Sequence, residues 1–365
     1  MSNKEKLDPI LPSSTLCAYC PKMCRFSCPV SEAESRETVT PWAKMSILYL
    51  AWQGQMDTDH ESVVRALEAC TGCGACVEQC AHGNPVAETL FTARGIIETD
   101  RSLKMRDAFQ KTGDVKNRPL HKRAAPYARD QNAKIAYFPG CTQLTDQASS
   151  VEKSLKLLAH ALDVPVPLVD LPQGKWCCGY PLYADGQMEP LATHLDAMAE
   201  LLSQHEMIIT PDPGCAYILT TVQKEIGSSA FDTEVLPLVE VLARYKSKFK
   251  DSCAGQRLKY HDPCYLGRRG RSFKGVRDLL ETASGASVVE FTNHCDKSDC
   301  SGGGGLYPVS HPEGAKKMAS RRVAQDSNPE PYDVLVTACP SALRSFRRAG
   351  IDARDVIDVL MAAIN

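Results

Sequence analysis

Seventeen cysteines, most of them in two dense runs and a later set of repeated stations, constrain this chain more than any other feature. In an exported protein they would read as a disulfide framework, yet the count is odd and the spacing is wrong for paired bridges. Thiolates held by metal in a reducing compartment fit better, so the expected location is cytoplasmic. No apolar stretch approaches the roughly 18 residues of a membrane span. The best, Ile47 to Trp52, reads as buried helix. Met1-Ser-Asn-Lys-Glu-Lys has no apolar segment behind it, so no secretory signal is expected. The formal net charge of −2 leaves no global basic field for gripping nucleic acid. A length of 365 residues points to two or three domains.

The first run is Cys17-x2-Cys20-x3-Cys24-x3-Cys28-Pro29, and the second is Cys70-x2-Cys73-x2-Cys76-x3-Cys80. The second resembles a bacterial ferredoxin cluster run, in which three close thiolates grip one [4Fe–4S] cube and the fourth ligates its neighbour. The expected groups are Cys17, Cys20, Cys24 and Cys80 on one cluster, with Cys70, Cys73, Cys76 and Cys28 on the other. Two departures stand out: an extra residue between Cys20 and Cys24, and Ala81 where proline usually follows. Zinc is the competing metal, since C-x2-C pairs also build zinc sites. Two runs of four thiolates favour cubes. Between the runs, Thr40-Pro41-Trp42 reads as a helix start, and a second helix is expected from Glu61 to Ala69. With no alternating pattern, residues 1–100 read as all-helical.

Residues 101–132 are rich in arginine and lysine and are punctuated by Gly113, Pro119 and Pro126. They read as a linker, either a solvated face or a dock for an acidic partner. From residue 133 the texture changes. Short apolar runs at 135–138, 207–210, 288–291 and 334–337 read as buried strands, alternating with helical spacing at 151–162, 189–202, 276–282 and 312–324. A repeat is visible here: Phe138-Pro-Gly-Cys141 resembles His261-Asp-Pro-Cys264, Cys177-Cys178 is matched by Asp299-Cys300, and Cys215 by Cys339. Cys253 and Cys295 fall outside the stations.

Two ferredoxin runs followed by a repeated unit with Trp176-Cys-Cys-Gly-Tyr-Pro181 resemble the CCG-domain iron–sulfur proteins. That family includes iron–sulfur subunits of heterodisulfide reductase, glycolate oxidase and anaerobic glycerol-3-phosphate dehydrogenase. The resemblance implies an α+β, multidomain chain: a helical two-cluster ferredoxin-type domain over 1–100, then a duplicated α/β CCG unit at 133–252 and, degenerate, at 253–365. It also implies five cysteines in a complete unit, ending in C-x2-C. The first unit keeps Cys141, Cys177, Cys178 and Cys215, with Ile218 at the final position. The second keeps Cys264, Cys300 and Cys339, with Asp299 replacing one thiol, Ala342 another, and Asp299 or Cys295 as a candidate fourth ligand. A further cluster in the first unit and a metal-free scaffold of packed thiols are both open.

Lesser signals have plainer readings. Gly302 to Gly305 lacks a following Lys-Ser/Thr, so Gly302 and Gly303 read as backbone packed beside Cys300 with N–H groups near sulfur. Trp176 reads as a shield of the cluster environment. His261-Asp262 has no serine elbow to complete a catalytic dyad. Arg268, Arg269, Arg271 and Lys274 read as a solvated turn or a contact for a carboxylate or acidic partner. No flavin or nicotinamide motif is present. The resemblance therefore implies an electron-transfer subunit beside a flavoprotein dehydrogenase or other redox subunit, reaching a membrane only through that partner. Two alternatives are a thiol–disulfide reductase acting at the CCG units and an assembly module without C-terminal metal. Protein purified without oxygen is expected to be coloured and to contain about eight irons, plus about four for each filled CCG unit. Zinc in place of iron, measured by elemental analysis, would end the cluster reading.

Overall fold

A computed structural model describes residues 3–229 and 231–364. Over residues 3–134 the described chain is helical and turn-linked, with no strand. The helix Pro41–Trp52 starts where Thr40 Oγ1 accepts the Ala43 N–H at 3.2 Å, with proline in the first turn. Its apolar face, Met45 and Leu48, packs with Leu67 of Glu61–Glu68 and Leu90 of Val86–Ile96 in one small core.

The basic stretch is folded rather than a loose linker. Asp100–Thr112 is a capped helix that buries Met105, Ala108 and Phe109. Asp114 is fully buried and takes the Arg118 guanidinium at 2.6 Å, and Arg101 pairs with Glu68. Several cations that look solvated in the sequence are thus spent internally.

The C-terminal part holds two parallel sheets. The first has strands β1 (Ile135–Tyr137), β2 (Met207–Thr210) and β3 (Glu234–Pro237) in the order β1-β2-β3, with Leu168 bridging Tyr137 beside β1. The second has β4 (Leu258–His261), β5 (Val289–Glu290), β6 (Val334–Thr337) and β7 (Ala353–Asp355) in the order β5-β4-β6-β7. Helices cross between successive parallel strands, as a parallel sheet requires. Strands β1, β2, β5 and β6 lie close to where the four apolar runs put them. Strands β3 and β7, which pair with only one neighbour, were not legible. One continuous core runs through both units, from Phe138 and Leu158 to Leu280 and Leu360.

The two ladders share a register. Ile135 pairs with Met207, and Leu258 with Val334. Counting from these pairs makes Tyr137 equivalent to Tyr260 and Cys141 to Cys264, as the repeat predicts. It also makes Thr210 equivalent to Thr337, and therefore Asp212 equivalent to Cys339 and Cys215 to Ala342. The third station is thus offset by three from the match of Cys215 with Cys339. The position in the first unit that lacks a thiol is Asp212, not Ile218, which lies in the core.

The ferredoxin-type region packs on both units. Gly95 of Val86–Ile96 meets Gly186, the residue after Tyr180–Asp185, so closely that a Cβ on either would strike main chain. The helix Pro29–Glu34 contributes Val30 and Ala33 to a core shared with Met318 of Pro312–Ala324.

Strand β7 ends at Asp355, whose buried carboxyl caps the next helix by accepting the Ile357 N–H at 3.1 Å. Burial pushes its pKa up to about 7, from 3.8. Because the folded value lies above the unfolded one, the stability it contributes is complete below about pH 4 and is lost as pH rises through 7. Asp355→Asn keeps a good cap. Unfolding followed at pH 5 and pH 8 should show the variant losing less stability than the parent, by on the order of 3 kcal/mol. An unchanged pH dependence would refute the assignment.

Candidate metal centre

The cysteines of the first run lie at helix ends and turns. Cys17 is in the last turn of Leu11–Ala18, Cys24 in the short helix Met23–Ser27, and Cys28 is the residue before Pro29–Glu34. In the second run, Cys70 and Cys73 occupy the loop after Glu61–Glu68, Cys76 the short helix Ala75–Glu78, and Cys80 the turn beyond. The fold sorts these eight thiols into two groups. Cys17 neighbours Cys24, Cys20 and Cys80, while Cys28 neighbours Cys73 and Cys70, and Cys76 neighbours all three. Cys24 also neighbours Cys28, so the two groups adjoin.

Donors point at sulfur. Asn84 gives its side-chain N–H to Cys17 Sγ at 2.9 Å and its main-chain N–H to Cys80 Sγ at 3.4 Å, and the Gly72 N–H reaches Cys70 Sγ at 3.5 Å. As free thiols Cys17 and Cys76 ionise poorly: burial pushes Cys17 up to about 11 and Cys76 well above its ordinary value. Crowded, buried sulfurs fit an iron–sulfur core, whose irons hold them as thiolates. Among the described residues, no three His, Cys, Asp or Glu side chains close around the point one metal ion would take.

The same loop is surrounded by cations. The Lys44 ammonium donates to Ala69 O at 2.6 Å, Arg94 Nη2 to Cys70 O at 2.9 Å, and Arg268 Nε to Cys73 O at 2.8 Å. Arg268 Nη2 is buried with no partner. The basic turn is therefore half internal: Arg268 is buried, Arg269 pairs with Glu88, and only Arg271 and Lys274 face outward. Sequence reasoning missed Lys44 and Arg94. Lys44 had a signal, as the one charge in the apolar helix Pro41–Trp52; Arg94 had none.

In the first CCG unit the structure brings all four thiols together, Cys141 against Cys177, Cys177 against Cys178, and Cys178 against Cys215. His194 Nε2 lies 2.7 Å from Cys177 O, and burial holds its pKa down at about 4, so it is neutral there. In the second unit Cys264 meets Cys300, and Cys300 meets Cys73 of the ferredoxin-type region. Its neighbours Cys264 and Cys73, with burial, leave Cys300 at about 12. The Gly302 N–H donates to Cys300 Sγ at 3.3 Å. Gly304 and Gly305 lie so close to Cys70 and Thr71 carbonyls that side chains there would clash. The glycine run is thus packed backbone beside Cys300, as its sequence suggests.

Other candidates lie elsewhere. Asp299 turns away from Cys264, accepting from Asn293 at 3.0 Å and lying 3.5 Å from Arg322. Cys295 sits beside Arg277 and Asp262, and Cys253 in the main core. Cys339 is the residue before Pro340–Arg348, its thiol lying near the Ser341 and Ala342 main chain and Asp212 and making no capping hydrogen bond. Trp176 is fully buried, and its indole donates to His121 Nδ1 at 3.3 Å. His261 forms no dyad: burial keeps it neutral, it accepts from Arg322, and Asp262 is bound by Arg277.

The stations of both units open into one cavity of about 150 Å³, lined by Cys141, Cys178 and Cys215 from one side and Cys264, Cys300 and Cys339 from the other. Asp212 borders it, donated to by Ser341 Oγ at 3.3 Å. Lys116, Arg118, Arg344 and Arg348 reach it on one side. The cavity lies at the carboxyl ends of β1, β2, β4 and β6, the usual place for a ligand in a parallel sheet.

Comparison with known proteins agrees with this arrangement. A cysteine-rich (CCG) domain matches residues 135–220 and 258–347, and a 4Fe-4S dicluster domain matches residues 13–84, together more than half of the chain. A subunit of the fumarate reductase (CoM/CoB) of Methanothermobacter marburgensis is 26% identical over 87% of this chain, which spans 64% of that protein. A subunit of the dihydromethanophenazine:CoB–CoM heterodisulfide reductase of Methanosarcina acetivorans is 27% identical, over 82% of this chain and 78% of that one. The probable glycolate oxidase iron–sulfur subunit of Bacillus subtilis is 25% identical over 89% and 86%. Among the described residues no helix is long and apolar enough to cross a membrane. With its dicluster region and its two cysteine-rich units built around facing thiols, the chain belongs to the CCG-domain iron–sulfur proteins.

Proposed function

We propose that this chain is the iron–sulfur electron-transfer subunit of an oxidoreductase complex, passing electrons from a flavoprotein dehydrogenase or other redox subunit toward an acceptor at the CCG units. Similarity to subunits of larger oxidoreductases supports a redox partner. Two [4Fe–4S] clusters, when bound, supply one-electron transfer. Cys17, Cys20, Cys24 and Cys80 would hold one; Cys70, Cys73, Cys76 and Cys28 the other. Cys141, Cys177, Cys178 and Cys215 suffice for a third, whereas the second unit offers only Cys264, Cys300 and Cys339. The protein would work in the cytoplasm and meet a membrane only through its partner.

The observation that carries this reading is the contact of Cys300 with Cys73. It brings a thiol of the second unit against the ferredoxin-type loop, and Cys300 also meets Cys264 at the cavity. Burial of this junction keeps water from the path. Cys300→Ala is expected to leave both N-terminal clusters reducible by dithionite. It should slow their reoxidation by an acceptor bound at the CCG units by at least tenfold. Equal rates in parent and variant would reject the path.

A second reading, reduction of a disulfide within the cavity itself, is favoured by six cysteines opening onto one space beside basic side chains. Release of thiol from a small anionic disulfide, driven by reduced viologen, would establish it. The ligand groups have their own test. Cys80→Ser should disturb the electron paramagnetic resonance (EPR) signal of the first cluster and Cys28→Ser that of the second. The reverse outcome would uncouple the two runs.

A further inference from the structure

Three buried cations surround the second thiol group. Lys44, Arg94 and Arg268 are 1%, 6% and 5% exposed. Each spends its hydrogen bonds on main-chain carbonyls. Lys44 takes Ala69 O; Arg94 takes those of Leu67, Glu68, Cys70, Ala184 and Gly305; Arg268 takes Cys73 O and carbonyls at 296 and 298. Of the carboxylates that act on Arg94, Glu68 is paired with Arg101 at 2.6 Å and Asp185 lies 3.8 Å from Arg101. Glu78, near Arg268, pairs with Arg271. A buried cation answered only by dipoles is costly unless an anion lies close by.

The anion is distributed over the thiol group itself. Lys44 acts on Cys28 and Cys76, Arg268 on Cys73, and Arg94 on Cys70. Every member of the group has a cation beside it. Around the first group the chief neighbours of Cys17 and Cys24 are neutral or are other thiols: the Asn84 amide and the Trp42 N–H. A four-thiolate cube is an anion that gains a further negative charge on reduction, so buried positive charge favours its reduced form.

We propose that Lys44, Arg94 and Arg268 make the cluster of Cys28, Cys70, Cys73 and Cys76 the more easily reduced of the two. They thereby set the direction of flow, from the Cys17 group toward Cys300. The three act as positioning charges and ligate nothing. This rests on the proposed ligation of two cubes, and it adds that the chain is built to deliver electrons to the CCG units rather than collect them there.

The test is an anaerobic redox titration of the full-length protein, followed by EPR, with Cys24→Ser identifying the signal of the first group. In the parent the second cluster should be reduced at the higher potential. Lys44→Met and Arg268→Met should each move only that step to lower potential, and Arg268→Lys, which keeps the charge, should largely restore it. If the lower step moves instead, if both move together, or if neither moves, the charges do not set the order. If the parent shows no cube signal at all, it is the ligation reading that falls. A variant that loses its second cluster outright is replaced by Arg268→Lys against the parent, where a downward shift equal to full loss of charge would also refute the proposal.

Discussion

The loop from Ala69 to Cys73 is the constraint around which the rest is arranged. A chain that wraps a metal centre turns N–H groups inward toward sulfur, as the Gly72 N–H does toward Cys70 Sγ. The carbonyls are then left facing outward, into protein rather than water, where an unpaired one is costly. Arg94, Lys44 and Arg268 gather those carbonyls from three directions, one from the helix Val86–Ile96, one from the apolar helix Pro41–Trp52 and one from the second CCG unit. One set of side chains thus satisfies the loop's backbone and answers the charge at its centre. The same contacts join the regions, since Arg94 also holds Ala184 O of the first unit and Gly305 O beside the second.

Duplication gave two equivalent units, and their departures from equivalence are informative. Between Cys300 and the helix Tyr307–Ser310 lies the glycine run, whereas Cys178 leads almost directly into Tyr180–Asp185. The longer connection reaches the ferredoxin-type loop, with Gly304 and Gly305 against Thr71 and Cys70. At the third station the ladders set Asp212 opposite Cys339 in the repeat. Both stand before a proline-opened helix, but only Asp212 caps it, taking the Gly214 N–H, while the Cys339 side chain makes no capping hydrogen bond. One unit kept the first thiol of that turn and the other the second.

Cysteine spacing was legible because ligation tolerates little variation in it; the crossed grouping of the two runs is what the resemblance to ferredoxin runs implies. Strands β1, β2 and β6 were legible as uniformly apolar runs buried on both faces. Strand β4 was harder, since Leu-Lys-Tyr-His reads as half exposed, yet all four are buried. Lys259 survives there by pairing with Asp326 and lying over the Phe291 and Tyr332 rings. The three-residue offset of Cys215 could not be seen by counting, because connecting loops change length and only strand pairing fixes equivalence. Arg268 looked solvated because its acceptor, Cys73 O, is 195 residues away in the chain.

These features bear on why the second unit could lose thiols and keep its place. Cys300 and Cys264 are the two that touch the ferredoxin-type loop or the thiol next to it. Asp299 and Ala342 are the replaced positions, and neither lies on that line: Asp299 has turned to Arg322 and Asn293, and Ala342 packs with Phe291 and Leu343 in a separate small core. The first unit shows the opposite pattern, with four thiols in contact and none against the loop. A unit used for conduction needs sulfur only where two centres approach, whereas a unit used to hold a centre needs a full ligand set. The asymmetry of the two copies is what a division into a connecting unit and a holding unit would leave behind.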